Sequence, residues 1–186
     1  HLPVQSGSNR ILKSMNRKHT VENYLKIIDE LQRINPNIKF SSDFIIGYPG
    51  ESESDFQSSL KLLERVKYIN SYSFVFSPRP GTPAANLNYV NENIAKKRLV
   101  VFQKLAKEIK LNYRKTLLNK DSKVLFENRI GDKNEFFGRD EYANSVIVKS
   151  DEDLKGKIKK IRIVSGNQNT LIGEIEKKFD KREFAA

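Results

Sequence analysis

The stretch Lys39-Phe-Ser-Ser-Asp-Phe-Ile-Ile-Gly-Tyr-Pro-Gly-Glu51 constrains the fold of this chain more than any other. Phe40, Phe44, Ile45 and Ile46 make a short, mostly apolar run, which predicts a strand of a parallel sheet buried on both faces. The run ends in the breaker cluster Gly47-Tyr-Pro-Gly50, and Glu51-Ser-Glu-Ser-Asp55 reads as the polar start of a helix. Ligands of α/β folds sit where strands run out at their carboxyl ends, so this turn is where a site should be sought.

The flanking segments repeat the pattern. His1-Leu-Pro-Val-Gln-Ser-Gly-Ser8 reads as a strand end entering a Gly/Ser turn, and Ser8 or Asn9 caps a short helix bearing Ile11, Leu12 and Met15. Thr20 caps a second helix, in which Tyr24, Ile27, Ile28, Leu31 and Ile34 recur at helical spacing until Pro36 ends it. A third carries Phe56, Leu60, Leu63 and Val66 on one stripe. The strand Ser71–Ser77 then leads into the irregular loop Pro78-Arg-Pro-Gly-Thr-Pro83. Such alternation predicts a parallel sheet with right-handed crossovers, but the strands are too few to close a barrel.

One long helical pattern follows from Asn91 to about Leu118, with Leu99, Phe102, Leu105, Ile109 and Tyr113 aligned. Its other faces carry Lys96, Lys97, Arg98, Lys104, Lys107, Lys110, Arg114 and Lys115 against only Glu92 and Glu108, as either a solvated or an RNA-facing surface. After Asn119 the rhythm changes to short β-rich runs: Lys123–Glu127, Glu135–Gly138, Ser145–Lys149, Lys157–Val164 and Thr170–Ile175. Five strands in so short a space predict a small, all-β OB-like barrel, a fold often used for nucleic acids. The expected domains are residues 1–118 and 119–182.

Charge narrows the partners. The formal net charge of +11 makes a polyanion the first partner to consider. Residues 120–186 are nearly balanced, with 15 basic and 13 acidic residues, yet Lys155, Lys157, Lys159, Lys160 and Arg162 fall within eight positions. That stripe, with Phe136, Phe137 and Tyr142 as stacking surfaces, favours RNA, although at least one of the two phenylalanines is expected in the core. Cysteine is absent, which excludes a disulfide framework and any cysteine-held metal or cluster within this chain. No apolar run approaches the ~20 residues of a membrane span. The chain opens on His1 and its single methionine is Met15, so it reads as a fragment of something longer.

Three linked stretches carry a family resemblance: His1-Leu-Pro-Val-Gln-Ser-Gly-Ser8 with Arg10-Ile-Leu-Lys13 and Met15-Asn-Arg17; Asp43-Phe-Ile-Ile-Gly-Tyr-Pro-Gly-Glu51; and Tyr72 to Phe76 followed by Ser-Pro-Arg-Pro-Gly-Thr-Pro-Ala84. In order and content they resemble the radical-SAM methylthiotransferases, on their tRNA-modifying side. The β-rich tail resembles the TRAM domain of that family, with Gly138-Arg139 and Gly173 at like positions. The resemblance implies an α/β fold in which the carboxyl-terminal part of a partial (β/α) radical-SAM barrel is followed by a TRAM barrel. It implies a cytoplasmic transferase that methylthiolates C2 of an N6-isopentenyladenosine in the tRNA anticodon stem-loop.

The cofactors implied are S-adenosylmethionine and two 4Fe-4S clusters. One S-adenosylmethionine would give a methyl group and a second the 5′-deoxyadenosyl radical, with sulfur arriving through the auxiliary cluster. The family's CxxxCxxC and its auxiliary cysteines have no counterpart here, so the cluster ligands and the amino-terminal half of the protein are expected outside this chain. Two other readings stay open: a sibling that modifies a ribosomal protein, which the Gln-Ser-Gly-Ser turn disfavours, and a non-catalytic RNA-binding module.

Against S-adenosylmethionine, five residues have suitable chemistry. Gln5 donates and accepts, suiting a ribose or an amino-acid head. Arg17 pairs with a carboxylate in a fork. Asp43 accepts from ribose hydroxyls or the ammonium, Ile45 beside Gly47 offers an apolar ledge for adenine, and Ser77 ends the next strand at the same rim. His1 and His19 are read as structural or solvent-facing. For RNA the candidates are Arg139, Lys155, Lys157, Lys159, Lys160 and Arg162.

Overall fold

Three hydroxyls start three helices in the computed structural model, which describes residues 1–131 and 133–175. Ser8 precedes α1 (Asn9–Ser14), Thr20 precedes α2 (Val21–Ile34), and Ser52 precedes α3 (Glu53–Val66); each accepts a backbone N–H of the first turn. At α3 the cap is reciprocal, because the Asp55 carboxylate accepts the Ser52 N–H in return. The helix therefore starts later than the expected Glu51, which stands outside it and is buried.

Two strands, β1 (Ser41–Ile46) and β2 (Asn70–Val75), pair in parallel, with Asp43 beside Tyr72 and Ile45 beside Phe74. On the other edge of β1 the opening residues run parallel to it. Leu2 N–H donates to Ser41 O and Gln5 N–H to Asp43 O, while Gln5 O accepts from Ile45 N–H, each at 2.9 Å. The expectation that β1 is buried on both faces is corrected. Ser42, Phe44 and Ile46 are buried, but Ser41, Asp43 and Ile45 are only half-buried. The covered face packs Phe44 against Tyr68 and Phe102, with ring centroids 5.7 and 4.7 Å apart. On the other face, Tyr72 and Phe74 are both more than half exposed.

Val4, Ile28, Phe44, Leu63 and Phe102 anchor the core of this unit, each contributing about 1.5–3 kcal/mol by burial. The long helix α4 (Glu92–Lys115) adds Leu99, Leu105 and Ile109 beside Phe102. Two of its eight basic residues leave the charged surface: Arg98 and Arg114 are buried and donate to internal acceptors.

The chain divides into two compact units, residues 1–110 and the chain from Leu111 onward, so the last turn of α4 counts with the second unit. There β3 (Asp121–Arg129), β4 (Glu135–Asp140), β5 (Ser145–Lys149), β6 (Ile158–Gly166) and β7 (Leu171–Ile175) close a five-stranded barrel in the order β3-β4-β5-β7-β6. All pairs are antiparallel except β5 with β7. Val124, Phe126, Phe136, Val146, Val148, Ile161, Ile163 and Leu171 fill it, with Leu154 from the loop before β6. Phe136 is thereby removed from the candidate stacking surfaces, leaving Phe137 and Tyr142 half-buried outside. Two glycines are steric necessities of so narrow a barrel. A Cβ at Gly138 would strike the Leu125 carbonyl oxygen, and one at Gly173 the Cγ2 of Ile161. Residues 176–182, where the second domain is expected to end, lie outside the described residues. Among the described residues no helix is long and apolar enough to cross a membrane.

Candidate functional site

The carboxyl ends of the parallel strands open onto a cleft of about 770 Å³ within the first unit. Gln5, Arg17, Asp43, Ile45 and Ser77 all line it, so the five residues picked from sequence for one ligand share one rim. The sequence signal for the remaining lining, Met15, Tyr48, Phe74, Phe76 and Arg79 among it, lay in the same three stretches without a role attached.

Gln5 sits at φ +75°, in the left-handed region, which for a residue other than glycine is costly and concentrates at functional sites. The kink lets its backbone pair with Asp43 and Ile45 while ending the strand, and the residue is nearly buried. Asp43 is not alone. His1 places Nε2 3.4 Å from its Oδ2, while His1 Nδ1 stands 2.9 Å from Ser41 Oγ. His1, expected to be structural or solvent-facing, thus touches a proposed ligand-binding carboxylate.

Charged residues of the same motifs prove to be architecture. The Arg98 guanidinium donates to Glu51 Oε1 at 2.8 Å and to the Glu51 carbonyl at 3.1 Å, and its other edge reaches Glu53 Oε2 at 3.0 Å. Glu51 Oε1 also accepts the Gly47 N–H at 3.1 Å. Burial pushes the Glu51 carboxyl up from its ordinary pKa, against the Gly47 hydrogen bond and the nearby Arg98 charge. Gly47 has φ +71°, and a Cβ there would stand 2.6 Å from the Ala95 Cβ, so only glycine fits this turn. Arg10 bridges Asp55 and the Gly50 carbonyl, the latter at 2.7 Å. Burial works to raise the Asp55 pKa, but hydrogen bonds from Arg10, Ser52 and Ser8 outweigh it and hold the carboxyl well below the usual carboxylate range. These contacts clamp the turn between β1 and α3. The Tyr48 hydroxyl, donating to the Ser14 carbonyl at 3.0 Å, ties that turn to the end of α1.

Five of the six basic candidates in the barrel unit are paired with acids. Lys157 and Lys159 both reach Glu152, at 2.9 and 3.3 Å on its two oxygens. Lys160 and Arg162 both reach Asp121, at 2.8 and 2.6 Å. Arg139 meets Glu127 at 3.1 Å and lies over the Phe137 ring, 5.4 Å from its centroid. Lys155 sits in the turn before β6, its backbone N–H on Asp153. The picture of an uncompensated cationic stripe is corrected: Glu152 and Asp121 each neutralise part of it. Asp121 meets Lys160 and Arg162 because register pairs β3 with β6, which charge counting along the sequence does not reveal, whereas Glu152 lies in the loop just before β6.

Residues 1–63 match the radical SAM superfamily. Over 182 residues the chain is 50% identical to the tRNA-2-methylthio-N(6)-dimethylallyladenosine synthase of Pelagibacter ubique (strain HTCC1062), covering 98% of this chain and 41% of that protein. The protein of the same name from Wolbachia pipientis subsp. Culex pipiens is 48% identical over 176 residues, covering 93% and 40%. That of Maricaulis maris is 42% identical over 178 residues, covering 94% and 39%. The chain spans about two-fifths of the length of the curated relatives it matches.

Proposed function

We propose that the chain belongs to the radical-SAM methylthiotransferase family and is the carboxyl-terminal portion of a tRNA methylthiotransferase acting on an N6-dimethylallyladenosine beside the anticodon. In this reading the three parallel segments end a partial (β/α) barrel whose interior is the open face bearing Asp43, Ile45, Tyr72 and Phe74. The five-stranded barrel belongs to a TRAM domain, expected over residues 119–182, that grips RNA. The amino-terminal half of the protein and the tRNA are the partners, and the protein works in the cytoplasm.

The observation that carries the reading is the convergence of Gln5, Arg17, Asp43, Ile45 and Ser77 on one cleft. Its donors fit S-adenosylmethionine, which has one carboxylate, one ammonium, a ribose diol and an apolar-faced purine. Arg17 holds the carboxylate, Asp43 the ammonium or ribose hydroxyls, and Gln5 the ribose; Ile45 supports the adenine and Ser77 closes the rim. When bound with the 4Fe-4S clusters of the intact protein, S-adenosylmethionine supplies the methyl group and the radical chemistry. The sequence has no cysteine to ligate those clusters, so this chain binds and orients rather than ligates. Asp43 is kept in place by His1, and the cleft wall of Ile45 and Phe74 keeps water from the ligand's apolar face.

In the intact protein, Asp43→Ala is expected to weaken S-adenosylmethionine binding and abolish product while iron and sulfide content stays unchanged. Full cofactor affinity in a fully loaded variant overturns the assignment.

A further inference from the structure

We propose that Arg79, at the mouth of the cleft, grips a backbone phosphate of the RNA strand whose adenosine enters it. The inference deepens the functional reading above and rests on it. The cleft is lined by two guanidinium groups, Arg17 and Arg79, and by a single carboxylate, Asp43, which His1 already contacts. S-adenosylmethionine brings one carboxylate, and Arg17 takes it. A second cation on the same rim calls for a second anion.

The loop holds Arg79 ready for one. Pro78 and Pro80 flank it and restrict the backbone on both sides. Its carbonyl accepts the Thr82 hydroxyl at 2.8 Å and the Thr82 N–H at 3.2 Å, and the turn continues through the Ala85 N–H to the Thr82 carbonyl at 3.0 Å. Gly81, at φ +80°, makes the tight bend possible. The backbone is thus fixed while the side chain is exposed, and its guanidinium has neither hydrogen bond nor ion pair among the described residues. This contrasts with Arg10, Arg98 and Arg114, which all donate to internal acceptors. An enzyme that reacts at a ring carbon of adenine must take the base out of the stack, which carries the flanking phosphates to the mouth of the pocket. A planar fork of donors on a pre-set backbone matches a phosphate in shape and charge, and little entropy is lost in forming the contact.

The test uses the intact protein as wild type, Arg79→Gln and Arg79→Lys. The probes are S-adenosylmethionine and an anticodon stem-loop RNA containing N6-dimethylallyladenosine. Arg79→Gln is expected to weaken RNA binding roughly tenfold, as for the loss of a charged hydrogen-bond donor. It should also flatten the slope of log K against log salt by about 0.7, one single-strand phosphate, and leave cofactor affinity within twofold. Arg79→Lys keeps the salt slope with a smaller loss of affinity. A loss of S-adenosylmethionine affinity with RNA binding intact overturns the proposal and makes Arg79 the carboxylate partner. Unchanged RNA affinity and slope overturn it in favour of a solvated loop arginine, and a lowered melting temperature in both variants overturns it in favour of a loop brace. Asp43→Ala run alongside separates the two readings: unchanged cofactor affinity there sinks the cleft assignment whatever Arg79 does.

Discussion

Arg98 on α4 donates to Glu51 Oε1 at 2.8 Å, and both side chains are almost fully buried. The pair joins the turn after β1 to the long helix, 47 positions apart in sequence. Removing the cation leaves a carboxylate with a buried backbone donor but no counter-charge, a loss of about 3–5 kcal/mol for a broken buried pair. Arg98→Met should therefore destabilise the chain by that order in urea unfolding, and Glu51→Gln by clearly less. The sign of the pH effect follows from burial, which already raises the Glu51 pKa. A raised folded pKa favours the protonated form, so stability tied to it is present at low pH and lost as pH rises through that pKa. The Arg98→Met deficit should shrink on acidification from pH 7. A deficit that stays constant from pH 7 to 4.5 argues against an unpaired carboxylate as its cause.

Asp55 gives the opposite sign. Its pKa is depressed through Arg10, Ser52 and Ser8, so its stabilising contribution is present above its ordinary value near 3.8 and is lost as pH falls below that. Asp55→Asn should lower stability at neutral pH and flatten the acid limb of the stability profile between about pH 4 and 2. Parallel acid limbs for wild type and variant would show that other carboxylates set it.

Gln5 separates stability from binding. At φ +75° a side chain is unfavourable by about 1–2 kcal/mol, whereas glycine adopts the angle freely but loses more chain entropy on folding. Gln5→Gly should leave stability unchanged or raise it by up to about 1 kcal/mol while weakening S-adenosylmethionine binding. Gln5→Ala keeps the strain and loses the amide, so it should bind as poorly with no gain in stability. Equal cofactor affinity in all three chains, by calorimetry, removes Gln5 from the site.

Much of the fold was legible because local signals agreed. Ser8, Thr20 and Ser52 are polar caps before helical periodicity, and the five short β runs after Asn119 each became a barrel strand. The rim was legible because strand ends and breakers lie within three motifs, which brought Gln5, Asp43 and Ser77 together. What failed was long-range. Nothing beside Glu51 in sequence announces Arg98, and nothing beside Asp55 announces Arg10. Both acids read as helix-start residues; Asp55 is one, closing the α3 cap, but Glu51 stands outside the helix, and both are buried beside arginines. Ile45 and Phe44 look alike as letters, yet the covered face took Phe44 and left Ile45 on the open one. The basic run at Lys155–Arg162 looked uncompensated because Asp121, one of its counter-charges, is more than thirty residues away and arrives only by β3–β6 pairing.

Glu152, in the loop before β6, recasts how the barrel would hold RNA. Lys157 and Lys159 share one carboxylate, Glu152, so a phosphate approaching them must compete with it. All three side chains are solvent-accessible, and exposed pairs of this kind are weak enough for a polyanion to displace. Glu152→Gln removes the competitor without changing size. If these lysines contact phosphates, the intact protein carrying Glu152→Gln should bind the stem-loop more tightly at low salt, and adding prenyl groups to the RNA should not alter the gain. The salt slope should steepen by up to about 1.4, two single-strand phosphates. Lys157→Gln with Lys159→Gln should move both quantities the other way. Binding and slope unchanged in both variants, with a lower melting temperature in the double variant, would mean that the lysines serve to close the barrel end, and that the RNA grip lies elsewhere on the domain.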